Sequence, residues 1–311
     1  MTRLNRDDDE VFEKIDVNNM TFWQKIDAHL SNIAFYQIVF SLPFAYMAVL
    51  LANKAHGLAT DWQMVLWVTT TIVAARSAAL ALDNMIDLKY DKDQPRFNER
   101  PMVAGLITHR DVYLLLAICF AVLIFSVLQL NPVCIKLLPV AALPFIVYPY
   151  MKRLTCLCHY ICGVAVAMAP AGAWVAVTGE VEYPMVVLFL AVVLWIGGFD
   201  VVYGAQDEEF DKAHGLHSMA TALGAEKALV LAKITHVVCL ALFIYLGVLL
   251  HIGLLYFAGV ALAAGTLWYQ HRIIALQGFG AFTREYYMRN GIVSVAIFVC
   301  TLLSVVMAQL A

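Results

Sequence analysis

Charge is what this sequence has least of. Asp, Glu, Lys and Arg make up 14% of its 311 residues, against 62% for the hydrophobic set. Soluble domains carry about a quarter charged residues. A chain so poor in charge cannot clothe a surface against water, and its mean hydropathy of +0.78 points to a bilayer as its main solvent. The seven cysteines have no regular spacing, so they form no disulfide framework. Most lie in apolar runs, where Cys acts as a small hydrophobe. No cleavable leader is expected from the chain's opening residues. The first 20 residues are polar and acidic (Asp7, Asp8, Asp9, Glu10, Glu13), unlike a signal or transit peptide. Residues 1–22 read as a cytosolic N-terminal tail and 23–311 as one membrane domain of a prokaryotic inner-membrane protein. A lipid bilayer is the expected surrounding, and no nucleic-acid partner is expected.

What the chain does have is nine long apolar segments, near 33–53, 64–83, 111–130, 133–151, 160–178, 184–204, 228–250, 252–269 and 291–310. Each approaches the roughly 20 residues that cross a hydrocarbon core of about 30 Å. Lipid makes such segments helical, because each must satisfy its own backbone. The expected fold is therefore all-α, a polytopic bundle of about nine transmembrane helices. Lys and Arg gather in alternate connections. They include Lys89, Lys92, Arg96, Arg100 and Arg110 after the second segment, Lys152 and Arg153 after the fourth, Lys212 and Lys227 after the sixth, and Arg272, Arg284 and Arg289 after the eighth. The positive-inside rule puts these links and the N-terminus in the cytosol and the C-terminus outside. The same links are the long, polar ones, so the working face is expected to be cytosolic.

Two acidic clusters stand at the ends of the second and sixth segments. Asp83, Asp87 and Asp91 are spaced i, i+4, i+8, and Asp200, Asp207 and Asp211 are spaced i, i+7, i+11. On continuous helices each set forms one stripe. A bland reading exists for any single Asp, which marks a solvated helix end. Two aligned stripes repel themselves, and six clustered carboxylates call for a cation. Hard oxygen ligands that leave room for phosphate point to Mg²⁺, with Asp83, Asp87, Asp91, Asp200, Asp207 and Asp211 as candidate ligands. Arg76 lies seven residues before Asp83 on the same face. Arg96, Arg100, Lys152 and Arg153 add basic side chains nearby. An anion that bridges metals and meets several Arg and Lys groups is a diphosphate. A transporter for cations or organic anions is the rival, since acids in membrane helices mark that class too. It favours Gly/Pro-broken helices at mid-membrane, whereas these acids sit at one face. The Cys156–His159 run with Cys162 lacks zinc-site spacing and reads as packing. Gly197-Gly198 reads as a close helix contact.

The motifs around these residues resemble the UbiA superfamily of membrane prenyltransferases. The first acidic motif is D-N-M-I-D-L-K-Y-D (83–91), and the second is F-D-V-V-Y-G-A-Q-D-E-E-F-D (199–211). R-F-N-E-R-P (96–101) and Y-P-Y-M-K-R (148–153) match the family's two basic segments. The opening Asn-Asp pair of the family appears here in swapped order as Asp83-Asn84, and Phe199 stands where the family has Tyr. The resemblance implies that Mg²⁺ on Asp87, Asp91, Asp207 and Asp211 binds a polyprenyl diphosphate. Arg76, Arg96, Arg100, Lys152 and Arg153 would neutralise its oxygens. Tyr148 and Tyr203 would steady an allylic cation, although both also suit an interfacial aromatic belt. An electron-rich carbon of an aromatic acid would then attack. Asn84, Asp200, His217, Ser218 and Asn290 are further substrate-binding candidates. Other superfamily members act on haem, chlorophyll or glycerol-phosphate lipids. Two acceptors fit a quinone pathway, 4-hydroxybenzoate and 1,4-dihydroxy-6-naphthoate. The Gln206–Asp211 and Gly215–Ser218 stretches, with Phe210 as apolar surface, tilt the expectation toward the bicyclic acid.

Overall fold

The computed structural model of the protein describes residues 20–281 and 284–310, and among these it contains helices and turns with no strand. The acidic tail up to residue 19 lies outside the described residues. The helices are α1 (Phe22–Asn32), α2 (Leu42–His56), α3 (Trp62–Asp91), α4 (His109–Val127), α5 (Pro132–Met151), α6 (Cys158–Thr178) and α7 (Tyr183–Gly204). They continue as α8 (Glu208–Ala213), α9 (Met219–Leu223), α10 (Ala225–Leu249), α11 (Leu254–Gln277), α12 (Arg284–Arg289) and α13 (Gly291–Leu310).

Eight helical stretches among the described residues are long and apolar enough to cross a membrane. The ninth expected span falls in α11, a 24-residue helix that packs against α13. Its C-terminal Gln270, His271 and Arg272 lower its apolarity below that of the others. The first span also departs from expectation. It opens as a 3₁₀ turn over Phe35–Phe40, after Ala34 in the left-handed region at φ 41°, and becomes α-helical at Leu42. The amphipathic α1 was not expected. It lacks a long apolar run, carries a Thr21–Gln24 capping box, and leaves Phe22 and Trp23 on its outer side.

Outward-facing apolar side chains cover the bundle, notably Leu114, Ile118 and Phe125 on α4 and Val140, Leu143 and Ile146 on α5. In water such a surface would drive aggregation; in lipid it is the solvent-facing coat. Inside, α6 packs on α7, α7 on α10, α2 on α6 and α3 on α4. The core is built on Trp174, Trp195, Phe44, Phe243 and Tyr256, all less than 2% exposed. The pair Gly197-Gly198 makes the close approach that its sequence suggested. A Cβ on Gly198 would stand 2.6 Å from His236 Nε2, so α10 lies directly on α7 just before Asp200. Helix α3 has 30 residues, about 45 Å at 1.5 Å each. It therefore overshoots the hydrocarbon and carries Asp83, Asp87 and Asp91 to one end of the bundle.

Candidate active site

The two acidic motifs meet at that end through basic side chains. The dipeptide Lys152-Arg153, just past the C-terminus of α5, touches both. Arg153 Nη2 lies 2.8 Å from Asp87 Oδ1 on α3, and Lys152 Nζ lies 2.8 Å from Asp211 Oδ1 on α8. The loop after α3 crosses over in the same way. Gln94 Nε2 donates to Asp207 Oδ1 at 2.7 Å, and Arg96 Nη2 lies 2.5 Å from Asp207 Oδ2. Arg100 turns back to Asp91 at 2.5 Å. Asp91, Asp207 and Asp211 are 4%, 4% and 0% exposed, so these ion pairs are sheltered from bulk water. Burial pulls the Lys152 ammonium down, but Asp211 and Asp207 outweigh it and hold the group above the ordinary lysine value.

Two expectations are corrected here. The second acidic set does not form one stripe on a continuous helix. Asp200 is on the last turns of α7, Asp207 ends a 3₁₀ turn over Ala205–Asp207, and Asp211 is on the short α8. The break re-aims Asp207 and Asp211 toward Arg96 and Lys152. Nor do the carboxylates stand uncompensated. Asp87, Asp91, Asp207 and Asp211 each have an Arg or Lys partner, and Asp200 has His159. The same basic groups expected to bind an anion balance the acids of the protein on its own.

A second group of polar and aromatic side chains lies beside this layer, among them Asp83, Tyr148, Asp200, Tyr203 and Tyr287, all partly buried. Asp83 lies on the α3 stripe with Asp87 and Asp91 and within electrostatic reach of Asp200. Arg76 Nη2 donates to Gln37 Oε1 at 3.4 Å, and the guanidinium is within electrostatic reach of Tyr287, Cys162 and Tyr148. Tyr203 stacks on Phe199 at 6.3 Å and meets Tyr287 edge-on at 5.3 Å. The Arg96 guanidinium lies 5.2 Å from the Tyr203 ring centroid, tying the aromatic wall to the charged layer.

The remaining candidates are placed as follows. The Asn84 amide donates to the carbonyl of Asn32 and ties α3 to the end of α1. His217 is exposed, and its backbone N–H donates to the Lys152 carbonyl at 2.6 Å. Ser218 is 0% exposed and caps α9 by accepting from Thr221 N at 3.1 Å. Asn290 is 0% exposed and accepts from Trp195 Nε1 at 3.1 Å. Sequence reasoning missed Gln94, Tyr287 and the pairing of His159. Gln94 and His159 meet acids far along the chain, which leaves no local signature. Tyr287 precedes the last apolar segment and carries no motif.

The donor set suits a hard divalent ion that shares its shell with phosphate. Among the described residues no three His, Cys, Asp or Glu side chains form a ready metal cage. Mg²⁺ does not ask for one, since it is commonly held by one or two carboxylates together with substrate phosphates and water. Asp87, Asp91, Asp207 and Asp211 are all oxygen donors of that kind, and their present partners are long, pivoting side chains.

A helical membrane protein with acidic motifs and basic side chains gathered at one end of its bundle is the class that fold and site define. Residues 41–290 match the UbiA prenyltransferase family, and the chain belongs to it. It is a prenyltransferase, and the transport reading falls. The 4-hydroxybenzoate octaprenyltransferase of Nitrosococcus oceani is 31% identical over 230 residues, covering 74% of this chain and 80% of that protein. That of Vibrio cholerae is 30% identical over 262 residues, covering 83% and 89%. Among solved structures, a UbiA homolog from Aeropyrum pernix K1 superposes with a TM-score of 0.78 at 28% identity, covering 88% of this chain and 98% of that one. A UbiA homolog from Archaeoglobus fulgidus bound to DMAPP and Mg²⁺ shares the fold, with a TM-score of 0.68 at 16% identity over 89% and 99% of the two chains.

Proposed function

We propose that this prenyltransferase moves a polyprenyl group from its diphosphate to a phenolic aromatic acid of quinone biosynthesis, at the site between α3, α7 and α8. The observation that carries this reading is the double contact of Lys152-Arg153, which joins Asp87 to Asp211 across the two acidic motifs. A diphosphate entering between them takes over Arg96, Arg100, Lys152 and Arg153. The carboxylates of Asp87, Asp91, Asp207 and Asp211 would then be free to hold Mg²⁺. When bound, that ion supplies positive charge at the diphosphate oxygens.

The chain's own groups then act on the transfer. The basic side chains stabilise negative charge as the allylic C–O bond breaks and its electron pair leaves with the diphosphate. Tyr148 and Tyr203 face the developing allylic cation with their rings. The aromatic carbon forms the new C–C bond and the ring then loses its proton. Apolar helix faces carry the prenyl tail into lipid.

The relatives at 30–31% identity are named for 4-hydroxybenzoate, which makes that acid the first acceptor to test. The second reading, 1,4-dihydroxy-6-naphthoate, is favoured by the segment Gln206–Ser218. There Phe210 stacks on His214 at 3.9 Å, and Tyr90 on α3 meets His214 at 6.5 Å, which sets an aromatic edge beside the acids. Purified protein in lipid, given one labelled polyprenyl diphosphate and each acid at equal concentration, is expected to prenylate at least one of them. Failure with both would end the aromatic-acid reading.

The uneven Lys and Arg distribution supports a cytosolic site and N-terminus, with the C-terminus outside. A reporter fused after Ala311 is expected to read as extracytoplasmic, and one within 92–108 as cytosolic. A cytosolic C-terminus would identify α11, the least apolar of the nine long helices, as the one that does not cross.

A further inference from the structure

His159 stands in a run that sequence alone assigns to packing, yet its ring is wired at both nitrogens. It is 3% exposed on the first turn of α6. Nδ1 lies 2.8 Å from Asp200 Oδ2. On the far side, the backbone N–H of Met219 points at Nε2 at 3.4 Å. A ring that accepts this N–H at Nε2 carries its proton at Nδ1 and donates it to the carboxylate. Space is kept for this ring, since a Cβ on Gly204 would stand 2.7 Å from His159 Cε1. Among the described residues Asp200 has no other hydrogen-bond partner, and its side chain is 30% exposed and within electrostatic reach of Tyr148, Cys162 and Tyr287.

We propose that His159 is a positioning residue for Asp200, held in one tautomer by Met219 N–H so that the second carboxylate oxygen is presented to the reacting groups. Met219 directly follows the Gly215–Ser218 stretch, and His217 N in that stretch bonds the Lys152 carbonyl. His159 therefore links Asp200 to the same loop that braces the diphosphate-binding dipeptide. Its neighbours Cys156, Cys158 and Cys162 are all free thiols, and the Cys158 thiol donates to the His217 carbonyl of the same loop at 3.5 Å.

The proposal rests on the prenyltransferase reading of this site, and its test separates the two. His159→Leu removes both contacts, whereas His159→Asn keeps a donor where Nδ1 stands. His159→Leu is expected to lower kcat about 10–100-fold, the usual scale for losing a partner that orients a working ligand, with KM for the prenyl diphosphate within about twofold. His159→Asn is expected to recover most of that loss. Adding His159→Leu to Asp200→Asn is expected to cost nothing more, because both act through one contact. Losses that multiply, or equal damage from Leu and Asn, would overturn the proposal. A second readout needs no turnover. In ¹⁵N-histidine spectra of the wild-type protein, the signal lost in His159→Asn should report a protonated Nδ1 and a bare Nε2. A proton on Nε2 would overturn the proposal even if His159→Leu fails to fold. Inactive wild-type protein would instead sink the functional reading, with the spectrum still deciding the role of His159.

Discussion

Asp207→Asn and Asp87→Asn are each expected to lower turnover by about 10³-fold or more, while the protein still accumulates in the membrane. The size follows from what one charge does in a sheltered site, where losing a single group aimed at a developing anion costs about 10²–10³-fold. A metal-holding carboxylate stands at the upper end of that scale. The reason for survival of the fold is local. Asp207 accepts from Gln94 at one oxygen and from Arg96 at the other. Asn keeps an oxygen for Gln94 and gives up the ion pair. Arg96 is 28% exposed and already lies over the Phe97 and Tyr203 rings, so it has somewhere to go. Asp87 is 31% exposed, and its partner Arg153 also bonds the Ile86 carbonyl and lies over Tyr90. Each variant should therefore be recovered in membranes and be inert. Near-normal rates in both would show that the acids only mark the membrane boundary.

Removal of divalent ions is expected to abolish transfer completely, and added Mg²⁺ to restore it. Asp87, Asp91, Asp207 and Asp211 are each paired with an Arg or Lys side chain. A diphosphate that claims those cations leaves the four carboxylates facing each other and the ligand. Like charges held within a few ångström in a sheltered site cost several kcal/mol without a counter-ion. The four carboxylates would hold the ion while the basic side chains hold the diphosphate. Transfer at full rate in excess chelator would contradict this.

Much of the site was legible because its parts sit in short, ordered strings. Asp83, Asp87 and Asp91 announce a helical face by spacing alone, and α3 does carry them on one continuous helix. The Y-P-Y-M-K-R and R-F-N-E-R-P strings placed Lys152, Arg153, Arg96 and Arg100 near the acids, and the structure pairs each with one. What was not legible is long-range or irregular. No periodicity foretells the 3₁₀ turn at Ala205–Asp207, which spoils the stripe arithmetic for Asp207 and Asp211. The bonds Gln94–Asp207 and His159–Asp200 join residues 113 and 41 apart in sequence, so neither appears in a local pattern. Hydropathy found the spans but not α1, whose apolar residues cover one face only, and it missed the turn at Phe35–Phe40. In α11, Gln270 is buried and its carbonyl accepts from Tyr286 at 3.5 Å, so one polar residue of this helix lies inside the bundle.

The central claim is that both acidic motifs and the Lys152-Arg153 dipeptide make one site for a metal-bound diphosphate. Equilibrium binding of a labelled polyprenyl diphosphate to purified protein, measured across a Mg²⁺ titration in wild type and Asp207→Asn, tests it most directly. The account predicts saturable binding at millimolar Mg²⁺, weaker by about 100-fold, or ~2.7 kcal/mol, in excess chelator and in the variant. Equal affinity with and without the ion would contradict it.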